Sequence, residues 1–423
     1  LQYFKDNIDN LNTIDTEAKA NKWNIALPLL GIILLFIGFL FSRVVSNIGF
    51  LLIGIYVIFH IRKISWLFYN KWMFTFLGLA LLPLLSDIIY EGTGFLQHRG
   101  VMKCLLILFP AFIFAFNPKK NLISAIHYLI IFVMTISTAY SLQNYIFDYE
   151  NITSQYNVSK VMSVLSFGDH IRVSWVVVIS CLLALYQYKS TTSKYIKLLL
   201  VSYIIIQIVY LHILGSKTGL IALYLSAIIS LAYEFGRQKN WLFVLFAAVI
   251  FLLPVIAYNT IPTFAQRVNY IKYDFGHYSK GEFKDGLSDA VRFNSLKAGK
   301  DIIISNPITG VGFSNLQEET ESWYKQNLPE LSPKSYFLPS SEIIIYWASG
   351  GIVAFLLFLS HMFIPFTMPY LRKNIWFMAF FIPAIFSFTF ETHLEGQLPI
   401  FVYGFFVAWF WWLAWRERQV LQT

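Results

Sequence analysis

The chain has 423 residues, 57% of them hydrophobic and 13% charged, and its mean hydropathy of +0.59 lies far above that of a water-soluble domain. This excludes an ordinary soluble enzyme and describes an integral membrane protein with room for about a dozen spans and no separate soluble domain. The formal charge of +9 is dispersed between apolar runs, which argues for membrane topology and against a nucleic-acid partner.

Residues 1–22 are polar and lack the apolar core and cleavage site of a signal peptide, so a cytoplasmic segment of a sequence trimmed at its start is expected. Apolar runs follow at Trp23–Phe41, Val44–Ile61, Trp72–Tyr90, Cys104–Phe116, Leu122–Leu142, Val173–Tyr188, Ile196–Leu214, Gly219–Phe235 and Trp241–Tyr258. Three more lie at Glu342–Phe366, Ile375–Phe390 and Leu398–Trp415. The expected fold is all-α, a polytopic membrane protein of about 12 transmembrane helices. Helices 1–9 fall in residues 23–258 and helices 10–12 in 342–415. The fourth run is short enough to be partly re-entrant or extended at its ends. Cys104 and Cys181 lie inside apolar runs and imply neither a disulfide framework nor a thiolate metal site.

Lys and Arg concentrate in alternate connections: Arg62, Lys63 and Lys71, then Lys119 and Lys120, then Lys189, Lys194 and Lys197, then Arg237 and Lys239, then Arg372 and Lys373. The positive-inside rule makes these cytoplasmic, together with residues 1–22 and the tail 416–423. The opposite face then carries the loops near Arg99, Asn144–Arg172, Gly215–Thr218 and Glu391–Gln397, and one large extracytoplasmic (periplasmic) loop, residues 259–341. Within that loop, Thr263–Asp274 and Ser288–Ile304 have helical spacing, and Ser314-Asn-Leu-Gln317 has the form of a capping box before a third short helix. Ser340, after Pro339, reads as the N-cap of the next span.

This outer face collects Arg99, Lys103, Arg172, Lys217, Arg267 and Arg292. Cations backed by apolar helices suit a diphosphate, although any one of them alone is equally a snorkelling or surface charge. Lys217 is the hardest to dismiss, because it sits in an otherwise apolar hairpin where desolvation demands a partner. Asn306-Pro307, Gly310 and Gly312 read as a turn after a helix, with the alternative that their amides face a phosphate. His170 and His212 read as hydrogen-bonded packing residues.

Three stretches carry a resemblance: His212-Ile-Leu-Gly-Ser-Lys-Thr-Gly-Leu220; Arg292 followed by Asn306-Pro-Ile-Thr-Gly-Val-Gly-Phe-Ser-Asn315; and Ser341-Glu342 followed by Gly350-Gly-Ile352. Arg99-Gly-Val-Met-Lys103 is a weaker match. In their order around one late loop they resemble the O-antigen polymerase and ligase superfamily (Wzy and WaaL), membrane enzymes that transfer glycans from undecaprenyl diphosphate. The resemblance implies a GT-C-like fold in a bacterial inner (cytoplasmic) membrane with its active site on the periplasmic face. The implied partners are an undecaprenyl-diphosphate glycan donor, a glycan or lipid A-core acceptor, membrane lipids and a chain-length regulator.

Two positions depart from the family. Lys217 stands where Arg is usual, which keeps charge but loses bidentate phosphate geometry. Ser340-Ser341 stands where ligases carry a His-Asn or His-Ser pair, which favours a polymerase over a ligase. Departure of the diphosphate builds negative charge that fixed Arg and Lys side chains can stabilise, so metal-independent inverting glycosyl transfer without a cofactor is expected. Arg292 and Lys217 are the candidates for that role, and Glu342, His393 and Glu391 for the base. Glu342 is equally explained as a carboxylate at a helix N-terminus. The competing class is a transporter or flippase of about twelve spans. Ionisable residues gathered at one face, rather than at mid-membrane in related halves, argue against it.

Overall fold

The computed structural model describes residues 22–90, 92, 99–158, 161–238, 242–281 and 287–420, so residues 1–21 and 421–423 of the two expected cytoplasmic segments lie outside it. Among the described residues the regular elements are helices, with no strand. In chain order they are α1 (Lys22–Phe41), α2 (Arg43–His60), α3 (Lys71–Ile89), α4 (Arg99–Lys103), α5 (Leu105–Phe116), α6 (Lys120–Phe147), α7 (Tyr149–Gln155), α8 (His170–Ser190), α9 (Lys194–Leu214), α10 (Lys217–Gln238) and α11 (Leu242–Thr260). Then come α12 (Pro262–Ser279), α13 (Ser288–Ser305), α14 (Leu316–Asn327), α15 (Glu342–Phe363), α16 (Pro369–Arg372), α17 (Ile375–Ser387) and α18 (Gln397–Val420).

Nine of the described helices are long and apolar enough to cross a membrane. α11 makes a tenth when counted with α12, to which it is joined at a 97° bend. Two shorter apolar helices, Gly100–Phe116 and Ile375–Ser387, fall on the fourth and eleventh expected runs. All twelve runs are therefore helical, and the fourth gains length from α4, with a break at Cys104.

The axis of the bundle is α18. Phe401, Phe405, Phe406, Trp409, Phe410, Trp411 and Trp412 are all buried, so this helix is enclosed on every side rather than amphipathic. Its rings meet those of surrounding helices, Phe36 against Phe401 at 5.4 Å and Trp72 against Trp411 at 4.7 Å between centroids. Polar groups at this depth are satisfied in pairs, as an apolar surround requires. His127 meets Trp409 Nε1 at 3.0 Å and Gln187 at 2.8 Å, and His361 meets Tyr403 at 2.6 Å and Thr75 at 2.8 Å.

The basic connections gather at one end of this bundle. Lys71 Nζ donates to Thr367 Oγ1 at 2.6 Å, Asn374 to Glu417 at 2.7 Å, Arg416 to the Pro118 carbonyl, and Trp66 stacks on Trp415. The side chain of Arg237 and all of Lys239 lie outside the described residues. At the other end α12, α13 and α14 form a layer over the helix ends, held by a small core of Ala298, Trp323, Tyr324, Leu328 and Leu331.

Two local expectations are corrected, and the Asn306–Phe313 stretch is the expected turn after a helix. The third short helix starts one residue late, at Asn315 as N-cap, because Ser314 Oγ donates to Asp87 of α3 and is not available to cap. Ser341, not Ser340, caps α15, its Oγ accepting from Ile344 N at 3.4 Å, while Ser340 is tied to Ser295 Oγ at 3.0 Å. The amides of the Asn306–Phe313 turn face no ligand space. Val311 N donates to Ala348 O at 2.9 Å and Gly312 N to Ser349 O at 2.8 Å, while Phe313 N donates to Ser86 Oγ at 2.9 Å.

That turn seals a break in α15. Gly351 has φ 64° and ψ −157° within the helix, and its neighbour Ile352 N donates to Ile308 O at 3.1 Å. The carbonyls freed by the break are thus taken up by amides of the extramembrane turn, which is how a broken helix is tolerated next to hydrocarbon. A methyl group at Gly351 would run into the Ile308 carbonyl.

Candidate active site

The site is built where the α12–α14 layer meets the loop Glu391–Gly396 between α17 and α18. Glu391 is buried and lies between two guanidinium groups. Arg292 Nη2 of α13 is 2.9 Å from its Oε2, and Arg172 Nη1 of α8 is 3.7 Å from its Oε1. Thr218 Oγ1 donates to Oε2 at 3.5 Å, and Arg172 also donates to the Thr392 carbonyl. One carboxylate thus orients two cations, and Asp169 Oδ1, 3.7 Å from Arg172 Nη1, is a second acid on this group.

Lys217 joins this group from the start of α10. α9 ends at Gly215, whose φ of 60° turns the chain sharply enough for α10 to begin at Lys217. The ammonium meets Asp289 in the first turn of α13 at 2.5 Å. Asp274, fully buried on α12, accepts from Asp289 N at 2.7 Å and Ala290 N at 3.1 Å, so it caps α13 from a neighbouring helix.

Arg267 of α12 lies against Gly215 and Tyr156, with its guanidinium 5.8 Å from the Tyr270 ring. It is 8% exposed, and its Nε and Nη1 have no hydrogen-bond partner among the described residues. Unused donors on a buried charge are unusual, since such groups are nearly always satisfied. Of the six cations expected on this face, Arg172, Lys217, Arg267 and Arg292 lie around Glu391 and Asp289. The sequence reading missed the acids Glu391, in its pairing role, and Asp289 and Asp274.

A chamber of about 1280 Å³ opens beside this cluster, lined by Arg292, Glu391, Thr392, Glu395, Ser340 and Lys334 among others. A smaller cavity of about 230 Å³ is lined by Lys103, Phe313, Ser314 and Ser349 and shares Glu395, Gln317 and Leu338 with the larger one. Lys103 is not part of the arginine cluster. It is 1% exposed, paired with Glu395 Oε1 at 2.5 Å, and its ammonium stands over the Tyr346 and Phe313 rings at 4.6 and 5.2 Å. The side chain of Arg99 lies outside the described residues.

Glu342 is fully buried and lines neither cavity; its Oε1 accepts from Leu394 N, and its Oε2 is without a partner among the described residues. His393 is also buried away from both, with Nε2 2.7 Å from Ser387 Oγ. Burial, and secondarily the Arg172 cation, pushes its imidazole well below the usual histidine range, so it is neutral at ordinary pH. The His170 imidazole meets the Gly168 backbone, and His212 is a packing residue held by Ile208 O at 2.7 Å and Tyr224 OH at 2.6 Å.

Comparison with curated proteins finds no match. Comparison with protein families finds one: residues 202–359 match the O-antigen ligase family. The matched segment runs from α9 to α15 and contains Lys217, Arg267, Asp289, Arg292 and Glu342, while Arg172, Glu391 and Glu395 come from outside it. Over this segment, a little more than a third of its length, the chain is similar to the O-antigen ligase family.

Proposed function

We propose that the protein transfers a glycan from a polyprenyl-diphosphate donor to a second lipid-linked glycan by a single inverting displacement, acting as a surface-polysaccharide polymerase at the periplasmic face of a bacterial inner membrane. The observation that carries this reading is Arg267, a buried cation with two unused N–H donors near Arg292 and Lys217. A diphosphate supplies the acceptors that Arg267 lacks, and its charge rises as the glycosidic C–O bond breaks. Donors fixed in place before the reaction stabilise that charge without reorganisation. Arg292 presents the same charge to the chamber, which is large enough for sugar residues. The positive-inside rule puts the basic end of the bundle in the cytoplasm and this site outside.

Transfer to lipid A-core, the ligase reaction, is the second reading, and the matched family's description favours it. Against it stands Ser340-Ser341, spent on Ser295 and on capping α15 at the position where the resemblance calls for a histidine. Reconstituted protein given an undecaprenyl-diphosphate glycan, with and without lipid A-core, tests both readings by mass spectrometry. Lengthened lipid-linked glycan supports the polymerase and glycan on lipid A the ligase; neither product, with flux across sealed vesicles, overturns glycosyl transfer.

A further inference from the structure

We infer that Glu395 is the base that takes the proton from the attacking hydroxyl, with Lys103 and Glu342 as its positioning residues; this rests on the glycosyl-transfer reading. A base has to reach the reacting sugars, and the chamber beside Arg292 is lined by two carboxylates among the described residues, Glu391 and Glu395. Glu391 is held between two arginines, which spends its charge on positioning them. Glu395 is shared by the large chamber and the smaller cavity, so it stands where a second sugar chain meets the donor's space.

Its surroundings hold it in place. Lys103 pairs with Oε1 at 2.5 Å and reaches the Tyr346 hydroxyl at 3.4 Å. Glu342 binds the amide of Leu394, the residue before Glu395, and His393 is fixed on Ser387. A loop pinned at two successive residues presents the third in one orientation.

The step balances without a further reagent. The acceptor hydroxyl oxygen bonds to the donor's anomeric carbon, the bond from that carbon to the diphosphate oxygen breaks, and its electron pair leaves with the diphosphate toward Arg292. The hydroxyl proton passes to Glu395 and from there to water.

The test uses full-length protein in nanodiscs with lipid-linked glycan extracted from the membranes of cells that make it. Release of polyprenyl diphosphate is measured with and without sodium azide, a nucleophile that carries no proton to remove. Glu395→Gln is expected to slow release by about 10²–10³-fold, the range of a lost general base, with donor binding retained. Azide is expected to restore release and yield a glycosyl azide, and to do nothing for Arg292→Ala, which lacks leaving-group stabilisation instead. Release from Glu395→Gln at the wild-type rate, or a slow variant that unfolds like wild type and ignores azide, overturns the assignment. Should Glu395→Gln not fold, Glu395→Asp decides, since it keeps the Lys103 pair but withdraws the carboxylate: slowed, azide-rescued release supports the base, and unchanged release overturns it. A wild type that releases no polyprenyl diphosphate overturns glycosyl transfer itself, and this inference with it.

Discussion

Arg267 and Lys217 are neighbouring cations in opposite conditions, and substitutions should separate them. Arg267 is buried with unused donors, so Arg267→Ala removes an unsatisfied charge. The expected outcome is an unchanged or raised melting temperature with turnover reduced ~10²-fold or more. Equal turnover in purified variant and wild type would remove Arg267 from the site. Lys217→Ala instead leaves Asp289 without its partner and should lower the melting temperature; adding Asp289→Ala should restore stability but not turnover, a double-mutant cycle that separates pairing from chemistry. His393 carries a pH signature. Its folded-state pKa lies below the unfolded value of ~6.5, so the unfolded chain binds the extra proton and stability, full above that value, falls as pH drops. Relative to His393→Gln, wild type should lose up to about 1.4 kcal/mol per pH unit below pH ~6 in thermal unfolding. The cations were legible in the sequence because they are scarce among apolar runs on that face. Their acids were not: Glu391 lies 99 positions from Arg292 by number alone and 2.9 Å from it in space, and nothing in a short window connects α8, α13 and the α17–α18 loop.

At the scale of elements, the junction between the Asn306–Phe313 turn and the break in α15 couples the extramembrane layer to the membrane helices. Gly351→Ala places a side chain at positive φ against the Ile308 carbonyl, and the expected loss is at least ~2 kcal/mol. A lower melting temperature in the same nanodiscs checks this, and an unaltered one would mean that α15 can close its break another way. Asp274→Ala removes the cap of α13 and should cost about 1 kcal/mol while displacing Asp289 and, through it, Lys217. The glycines of both partners stand out in the sequence, yet their purpose did not. A positive-φ glycine announces a turn, but the carbonyls that receive its amides belong to a helix some forty positions further on. Ser340 and Ser341 illustrate the same limit, since either side chain suits an N-cap and the tie to Ser295 decides between them.

For the whole molecule, the order of apolar helices and the gathering of basic loops at one end followed from hydropathy and charge, because both are averaged over many residues, whereas nine or ten of the described helices, not about twelve, are long and apolar enough to cross. The position of α18 did not follow. A helix buried on every side and one facing lipid have the same apolar composition in a membrane protein, so hydropathy cannot rank them. Charge compensation by side chains predicts one further behaviour: reconstituted turnover is expected to stay within about twofold when a chelator strips divalent cations. A large loss reversed by added Mg²⁺ would assign that compensation to a metal.

The enclosure of α18 has a consequence for biosynthesis. The other described helices leave the ribosome before α18, so the spans that pack on it, α5, α8 and α17 among them, wait in the bilayer as an open shell, their inward faces covered by lipid or by insertion factors. Release of a chain that stops before Gln397 should therefore yield rapid proteolysis rather than a shortened enzyme, and pulse-chase should show protease resistance appearing in one step as α18 inserts. Closure of the bundle thus waits on α18.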